Sequence, residues 1–106
     1  MLLRGGSPVL DEHAVGEMTA DQLTASQKEQ AGTGFLNGRS WGLCQSVVTE
    51  GPRAGAFGWD GGFGTSWLVD PVRDLTVIVL TQRMFESPHP PNVHVELQDA
   101  AYAALG

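Results

Sequence analysis

The chain has 106 residues, enough for one domain with a single modest core, because a domain of this size buries only about 60 to 65% of its unfolded surface. Charged residues make up 17% and apolar residues 42% of the sequence, which excludes disorder throughout. Twelve acidic and six basic residues give a net charge of −6, and no Lys/Arg stripe could neutralise a phosphate backbone, so we expect no nucleic-acid partner.

Residues 1–34 are predicted to form a helical and loop part. Residues 1–6 have the composition of a helix that ends at a glycine, and the absence of an N-cap suggests that this element begins upstream. Residues 11–18 can form two helical turns with an apolar face. The polar, weakly patterned residues 24–34 predict a surface loop.

Residues 35–82 are predicted to form a sheet. Four β-prone segments are separated by turn signals, and they comprise residues 41–49, 56–60, 63–69 and 75–81. The short connections favour an antiparallel meander. The last segment is an almost unbroken apolar run, which predicts a strand covered on both faces.

A C-terminal helix is predicted over residues 92–105, after an irregular proline-containing link. Its apolar residues recur at helical spacing and are expected to cover one face of the sheet. These residues are Val93, Leu97, Ala100, Ala101, Ala104 and Leu105. The predicted fold class is therefore α+β, an antiparallel sheet of three to four strands with a C-terminal helix. One sheet face has no obvious partner, and a homodimer could hide it.

No targeting or membrane-spanning segment is expected. The longest apolar run, residues 75–80, is far shorter than the roughly 20 residues that span a bilayer. Residues 1–6 contain neither an apolar h-region nor a small-residue cleavage site, so no signal peptide is predicted and a cytoplasmic location is favoured, with no membrane partner.

Neither a metal nor a cofactor is expected. The lone Cys44 can close no intrachain disulfide and build no zinc site. None of His13, His89 and His94 stands four residues from another histidine, so all three are predicted to lie on the surface. The acidic residues beside turns are interpreted as turn formers, with the exception of Asp60.

Residues 38–42, Gly-Arg-Ser-Trp-Gly, match the GxSxG string of α/β-hydrolases, with Ser40 as the nucleophile. That elbow requires a strand before the serine and a helix after it. Here a glycine-rich loop precedes Ser40 and β-prone sequence follows it. A loop that enters a strand is the competing interpretation.

The strongest signal is the glycine-rich segment 57–65, Phe-Gly-Trp-Asp-Gly-Gly-Phe-Gly-Thr. So many glycines weaken a strand unless something must approach its backbone closely. A strand of this kind beside a cleft could offer backbone N–H groups to an oxyanion, with Trp59 as a wall of the site. The alternative is a glycine-rich bulge or hairpin in which Trp59 is a core aromatic residue.

The order of these segments resembles the C-terminal part of the serine β-lactamase and penicillin-binding-protein superfamily, in particular the class C β-lactamase-related esterases and DD-peptidases. The resemblance covers nearly the whole chain, through residues 2–6, 17–24, 41–43, 58–65, 69–74 and 80–83. It implies a five-stranded antiparallel sheet flanked by terminal helices, beside a helical region that carries the nucleophile. It also implies acyl transfer through a serine ester, with a small acyl or β-lactam-like substrate.

The resemblance aligns the family's Lys-Thr-Gly or His-Thr-Gly motif with Trp59, Asp60 and Gly61. It implies that the backbone N–H of Gly62 contributes to the oxyanion hole, that Trp59 lines the acyl pocket and that Asp60 orients polar groups beside it. Trp59 replaces a cationic or imidazole side chain, so an ester is favoured over a β-lactam carboxylate.

The family's other two motifs are absent from this chain. SxxK fails because Lys28 is the only lysine and Ala25 stands three residues before it. YxN fails because Tyr102 is the only tyrosine and Ala104 follows two residues later. The chain is therefore predicted to be a C-terminal fragment of a serine hydrolase that is inactive alone. A non-catalytic binding remnant of the same fold is the alternative.

Overall fold

A computed structural model describes residues 1–106, except for the side chain of Thr33. The elements of the first third are a 3-10 helix at Leu2–Arg4, α1 at Glu12–Thr19, α2 at Ala25–Ala31 and α3 at Thr33–Leu36. The remaining elements are β1 at Arg39–Trp41, β2 at Ser46–Val48, β3 at Phe57–Gly61, β4 at Thr65–Asp70, β5 at Leu75–Leu80 and α4 at Asn92–Ala104. No helix among these elements is both long and apolar enough to cross a membrane.

Local capping explains where the first helices begin. The Asp11 carboxylate accepts a hydrogen bond from the Ala14 amide, 2.7 Å away, at the start of α1. Thr24 and Gln27 form a reciprocal capping box at the start of α2. The prediction of a loop over residues 24–34 is therefore wrong, because this cap allows a polar, weakly patterned segment to form a helix.

The sheet is antiparallel, with the strands in the sequential order β1-β2-β3-β4-β5. The α+β prediction is confirmed, but the sheet has five strands instead of three or four. The predicted segment 41–49 is in fact the end of β1, a tight connection and β2. Cys44 lies exposed in that connection with a φ of 67°.

One face of the sheet carries the apolar core. Val47, Phe57 and Val69 are buried together, and Leu2 and Leu3 of the 3-10 helix pack against them. Cross-strand pairing places these three core residues on the same face, because Val47 is opposite Phe57 and Phe57 is opposite Val69. The N-terminal residues are therefore part of the fold and not an appendage.

Helix α4 covers the other face, but with polar residues. Gln98 Nε2 donates to Ser66 Oγ at 3.0 Å, and both side chains are buried. Val93 and Leu97 are exposed, so the prediction that the apolar positions of this helix face the sheet is wrong. The reason is that this sheet surface presents the side chains of Asp60, Ser66 and Asp70 beside the apolar Leu68 and Val79, and buried polar groups need hydrogen-bonding partners.

The β4–β5 turn is tied to the same helix through Asp70. Its Oδ1 accepts from the Val72 and Arg73 amides, as predicted for a turn-forming carboxylate, and its Oδ2 accepts from Arg73 and from the Tyr102 hydroxyl at 2.9 Å. Burial favours the protonated form of Asp70, but the hydrogen bonds from Tyr102 and Arg73 outweigh it and lower the pKa of this carboxyl.

Strand β5 forms an edge of the sheet and is covered on one face only. Val79 is buried, whereas Ile78 and Leu80 are 65% and 77% exposed. The described residues cover one face of this strand, and the other lacks a partner among them, as expected for one face of the sheet. Its unbroken apolar sequence leaves an exposed apolar patch beside an unpaired strand edge.

Candidate functional site

Strand β3 has a free edge at its C-terminal end. Strand β2 pairs with β3 only through Ser46 opposite Gly58 and Val47 opposite Phe57. Beyond Gly58, the segment Trp59–Gly62, which we call the ribbon, has no strand beside it on that edge. On its other edge, β3 pairs with β4 as far as Gly61 opposite Thr65.

The direction of the backbone groups follows from the bonds to β2. The Ala56 carbonyl accepts from the Val48 amide at 2.8 Å, and the Gly58 carbonyl accepts from Ser46 Oγ at 3.0 Å. Backbone groups of alternate residues point to the same edge of a strand, so those of Asp60 point toward the free edge. The ribbon thus presents peptide groups to the space that β2 leaves open.

Two glycines in this region serve different purposes. A Cβ at Gly58 would lie 2.0 Å from the Trp67 carbonyl oxygen, so a glycine is needed for the close approach of β3 to β4. A Cβ at Gly62 would meet nothing within 4 Å. The Gly62 carbonyl accepts from the Phe85 amide at 2.8 Å, and its own amide has no hydrogen-bonding partner within the described part of the chain.

A cleft of about 710 Å³ borders the ribbon. Its lining includes Trp59, Asp60 and Gly62, and most of the wall is apolar. The aromatic and proline residues of the wall are Phe35, Trp41, Trp59, Phe85, Pro88 and Pro90. Such a lining accommodates an apolar group next to the exposed peptide groups.

Trp59 lies in the cleft wall and not in the core. It is 41% exposed, and its ring meets the Trp41 ring edge-on, with centroids 4.7 Å apart. The hairpin of the alternative interpretation is present, since β3 turns directly into β4, but Trp59 is not its core aromatic residue. The core position belongs to Phe57.

Asp60 lies between the cleft and a buried histidine. Its Oδ1 is 3.4 Å from Nδ1 of His94, which belongs to the first turn of α4 and is fully buried. The prediction that His94 lies on the surface is therefore wrong, whereas His13 and His89 are exposed. A signal in the sequence was available, because His94, Gln98 and Tyr102 recur at intervals of four and form one polar stripe of a helix.

Ser40 is not placed as a nucleophile. It lies inside β1, is 1% exposed and donates its hydroxyl hydrogen to Asp21. No strand-turn-helix elbow surrounds it. The Lys28 ammonium binds the same carboxylate and, together with Ser40, lowers the pKa of Asp21. The GxSxG match is a structural link between β1 and the α1–α2 connection.

The only lysine and the only tyrosine are engaged outside the cleft. Lys28 pairs with Asp21, and Tyr102 donates to Asp70. Burial, with a further contribution from Asp70, raises the pKa of Tyr102 to about 12. Among the described residues, no group of three or more histidine, cysteine and acidic side chains could hold a metal ion.

Comparison with known proteins identifies sequence relatives over most of the chain. The family model described as Beta-lactamase matches residues 2–101. The chain is 38% identical over 112 aligned residues to Protein Rv1367c of Mycobacterium tuberculosis, covering 95% of this chain and 26% of that protein. It is 35% identical over 88 residues to Esterase EstB of Burkholderia gladioli, covering 74% of this chain and 22% of that protein.

Solved structures show the same fold. The LovD6 mutant of Simvastatin Synthase from Aspergillus terreus superposes with a TM-score of 0.81 at 22% identity, covering 98% of this chain and 31% of that one. The unliganded enzyme superposes with a TM-score of 0.75 at 21% identity. The chain thus spans about a quarter of the length of the sequence relatives it matches and about a third of these structures.

Proposed function

Since this chain belongs to the beta-lactamase family of hydrolases and acyltransferases, we propose that it forms the sheet side of the acyl-transfer site of a larger serine hydrolase. SxxK and YxN are absent from its sequence. Ser40 borders the cleft but is buried and bonded to Asp21, and Lys28 and Tyr102 are engaged away from the cleft. The attacking serine and the groups that activate it therefore belong to polypeptide outside these residues, and the chain alone is inactive.

The observation that carries this proposal is the unpartnered Gly62 amide beside the cleft. In acyl transfer, the carbonyl oxygen of the substrate becomes an oxyanion, and a fixed backbone N–H stabilises that charge. Gly62 is the donor in this proposal. Trp59 lines the pocket for the acyl group. Gly61, which the resemblance places in the same motif, does not line the cleft, and a Cβ there would lie 2.8 Å from Thr65 Oγ1 on β4.

The proposed substrate is an ester with a small apolar acyl group. The cleft wall is largely aromatic and proline, and Trp59 occupies the position of the family's cationic or imidazole side chain. An apolar ring there favours an acyl chain over a carboxylate. The similarity to Esterase EstB supports the same substrate class.

The test is hydrolysis of a chromogenic short-chain ester. The isolated 106-residue chain should release no chromophore above the buffer rate, whereas a longer polypeptide in which an SxxK segment precedes these residues should turn over the ester. Turnover by the isolated chain that is lost in Ser40→Ala would contradict the proposal.

The alternative function is a non-catalytic binding remnant that kept the cleft. The engagement of both Lys28 and Tyr102 outside the cleft favours it, because neither the lysine nor the tyrosine of this chain can activate a nucleophile there. It predicts saturable quenching of the tryptophan fluorescence by an ester, since Trp41 and Trp59 both line the cleft, and no turnover from any longer polypeptide that contains these residues.

A further inference from the structure

The buried pair of Asp60 and His94 has no role in the function proposed so far. Asp60 is 13% exposed and borders the cleft, and His94 is fully buried behind it. Asp60 Oδ1 and both ring nitrogens of His94 are buried and have no hydrogen-bonding partner within the described residues. Because buried polar atoms in folded proteins are nearly always hydrogen-bonded, this arrangement requires an explanation.

Two of these unpartnered atoms lie next to each other. His94 Nδ1 and Asp60 Oδ1 are 3.4 Å apart, slightly beyond an ordinary N–H···O hydrogen bond. His94 is the third residue of α4, at the positive end of the helix dipole. That end of the helix favours a carboxylate beside it and disfavours a second positive charge within it, so a neutral imidazole that donates from Nδ1 fits this place.

Phe85 connects the ribbon to His94 by a second route. The Phe85 amide donates to the Gly62 carbonyl at 2.8 Å, and the Phe85 ring packs edge-on against the His94 ring, with centroids 5.7 Å apart. The ribbon is thus joined to α4 at two points, through the Asp60 side chain and through the Gly62 carbonyl. Both connections converge on His94.

We propose that His94 is a positioning residue of the acyl-transfer site, which donates its Nδ1–H to Asp60 and thereby fixes the ribbon so that the Gly62 amide faces the cleft. This inference rests on the proposed function. His94 is not a general base for the substrate, because its Nε2 is buried and His94 does not line the cleft. It acts on the substrate only through Asp60 and the ribbon.

The pair can be tested in the 106-residue chain by NMR of ¹⁵N-labelled histidine side chains. We expect His94 as the neutral Nδ1–H tautomer, and we expect Asp60→Ala to shift it toward the Nε2–H tautomer. The exposed His13 is the internal reference and should be the same in both spectra. An Nε2–H tautomer in the unaltered chain, or a His94 signal that is indifferent to Asp60→Ala, would overturn the proposal.

The effect on catalysis is tested with the ester assay on the longer polypeptide that carries the nucleophile. His94→Phe keeps a ring of similar size but lacks the donor, so kcat should fall by about tenfold to a hundredfold because the ribbon is misplaced, while KM stays within about twofold. His94→Asn restores an N–H donor and should recover most of the loss. His13→Phe is the matched control.

The two proposals fail in different ways. If the longer polypeptide without substitutions has no turnover, the proposed function is wrong, and the tautomer of His94 still decides whether the pair exists. If it does have turnover and His94→Phe has the same kcat, or if His94→Asn is as impaired as His94→Phe, the positioning role is wrong.

Discussion

Replacement of Gly62 tests whether its amide stabilises the oxyanion. Gly62→Pro removes the N–H and keeps the carbonyl that accepts from Phe85. The preceding residue, Gly61, lies in β3 and already has the extended backbone that a following proline requires. Gly62→Ala is the matched variant, since its Cβ would meet nothing within 4 Å and its N–H remains.

The expected effect is large because the charge that the amide stabilises develops only in the transition state. Loss of one oxyanion donor lowers kcat by about a hundredfold to a thousandfold, or about 3 to 4 kcal/mol of transition-state stabilisation. No protein hydrogen bond of the Gly62 amide is broken by the substitution, so the melting temperatures of the two variants should agree closely.

The measurement is kcat and kcat/KM for chromogenic ester hydrolysis by Gly62→Pro and Gly62→Ala in the longer polypeptide, with circular dichroism melts of both. A proline variant that retains the kcat of the alanine variant, at equal melting temperature, would refute the assignment of this amide to the oxyanion hole. A rise in KM with an unchanged kcat would instead assign Gly62 to substrate binding.

Three further outcomes follow from the contacts of the fold. Ser40→Ala should leave ester turnover by the longer polypeptide unchanged and lower the free energy of unfolding in urea by about 1 kcal/mol, because only the hydrogen bond to Asp21 is lost. Tyr102→Phe should lower the free energy of unfolding by about 1 to 2 kcal/mol, because the hydrogen bond to Asp70 is lost. The pKa of Tyr102 is raised to about 12 in the folded chain, so the stability that this group contributes should be lost as the pH rises from 10 to 12. Urea titrations across that range should show this loss in the unaltered chain and not in the variant. Ile78→Glu should abolish a concentration-dependent dimer in size-exclusion chromatography if the exposed face of β5 associates, and a monomer at every concentration would exclude that association.

The sheet and the ribbon were readable from the sequence because their signals are local. Turn residues at fixed places separate the β-prone segments, and short connections allow only neighbouring antiparallel strands. The glycines of residues 57–65 likewise indicate a backbone that must be approached closely, and the contact of Gly58 with β4 illustrates this, whereas Gly62 has open space around it. The helix α2 was also encoded locally, in the capping box of Thr24 and Gln27, although polarity suggested a loop.

The environment of each functional side chain was decided only by tertiary structure. Helical periodicity identifies two faces of α4 but not which one is buried, and that depended on the polar groups of β3 and β4, which lie far away in sequence. For this reason His94 is buried next to Asp60. Ser40 is likewise engaged by Asp21, which lies nineteen residues before it in the sequence. The sequence determined where the chain forms strands and where glycines leave its backbone without side chains. Packing determined which polar groups meet, because a hydrogen bond depends on distances between residues that local sequence patterns do not contain.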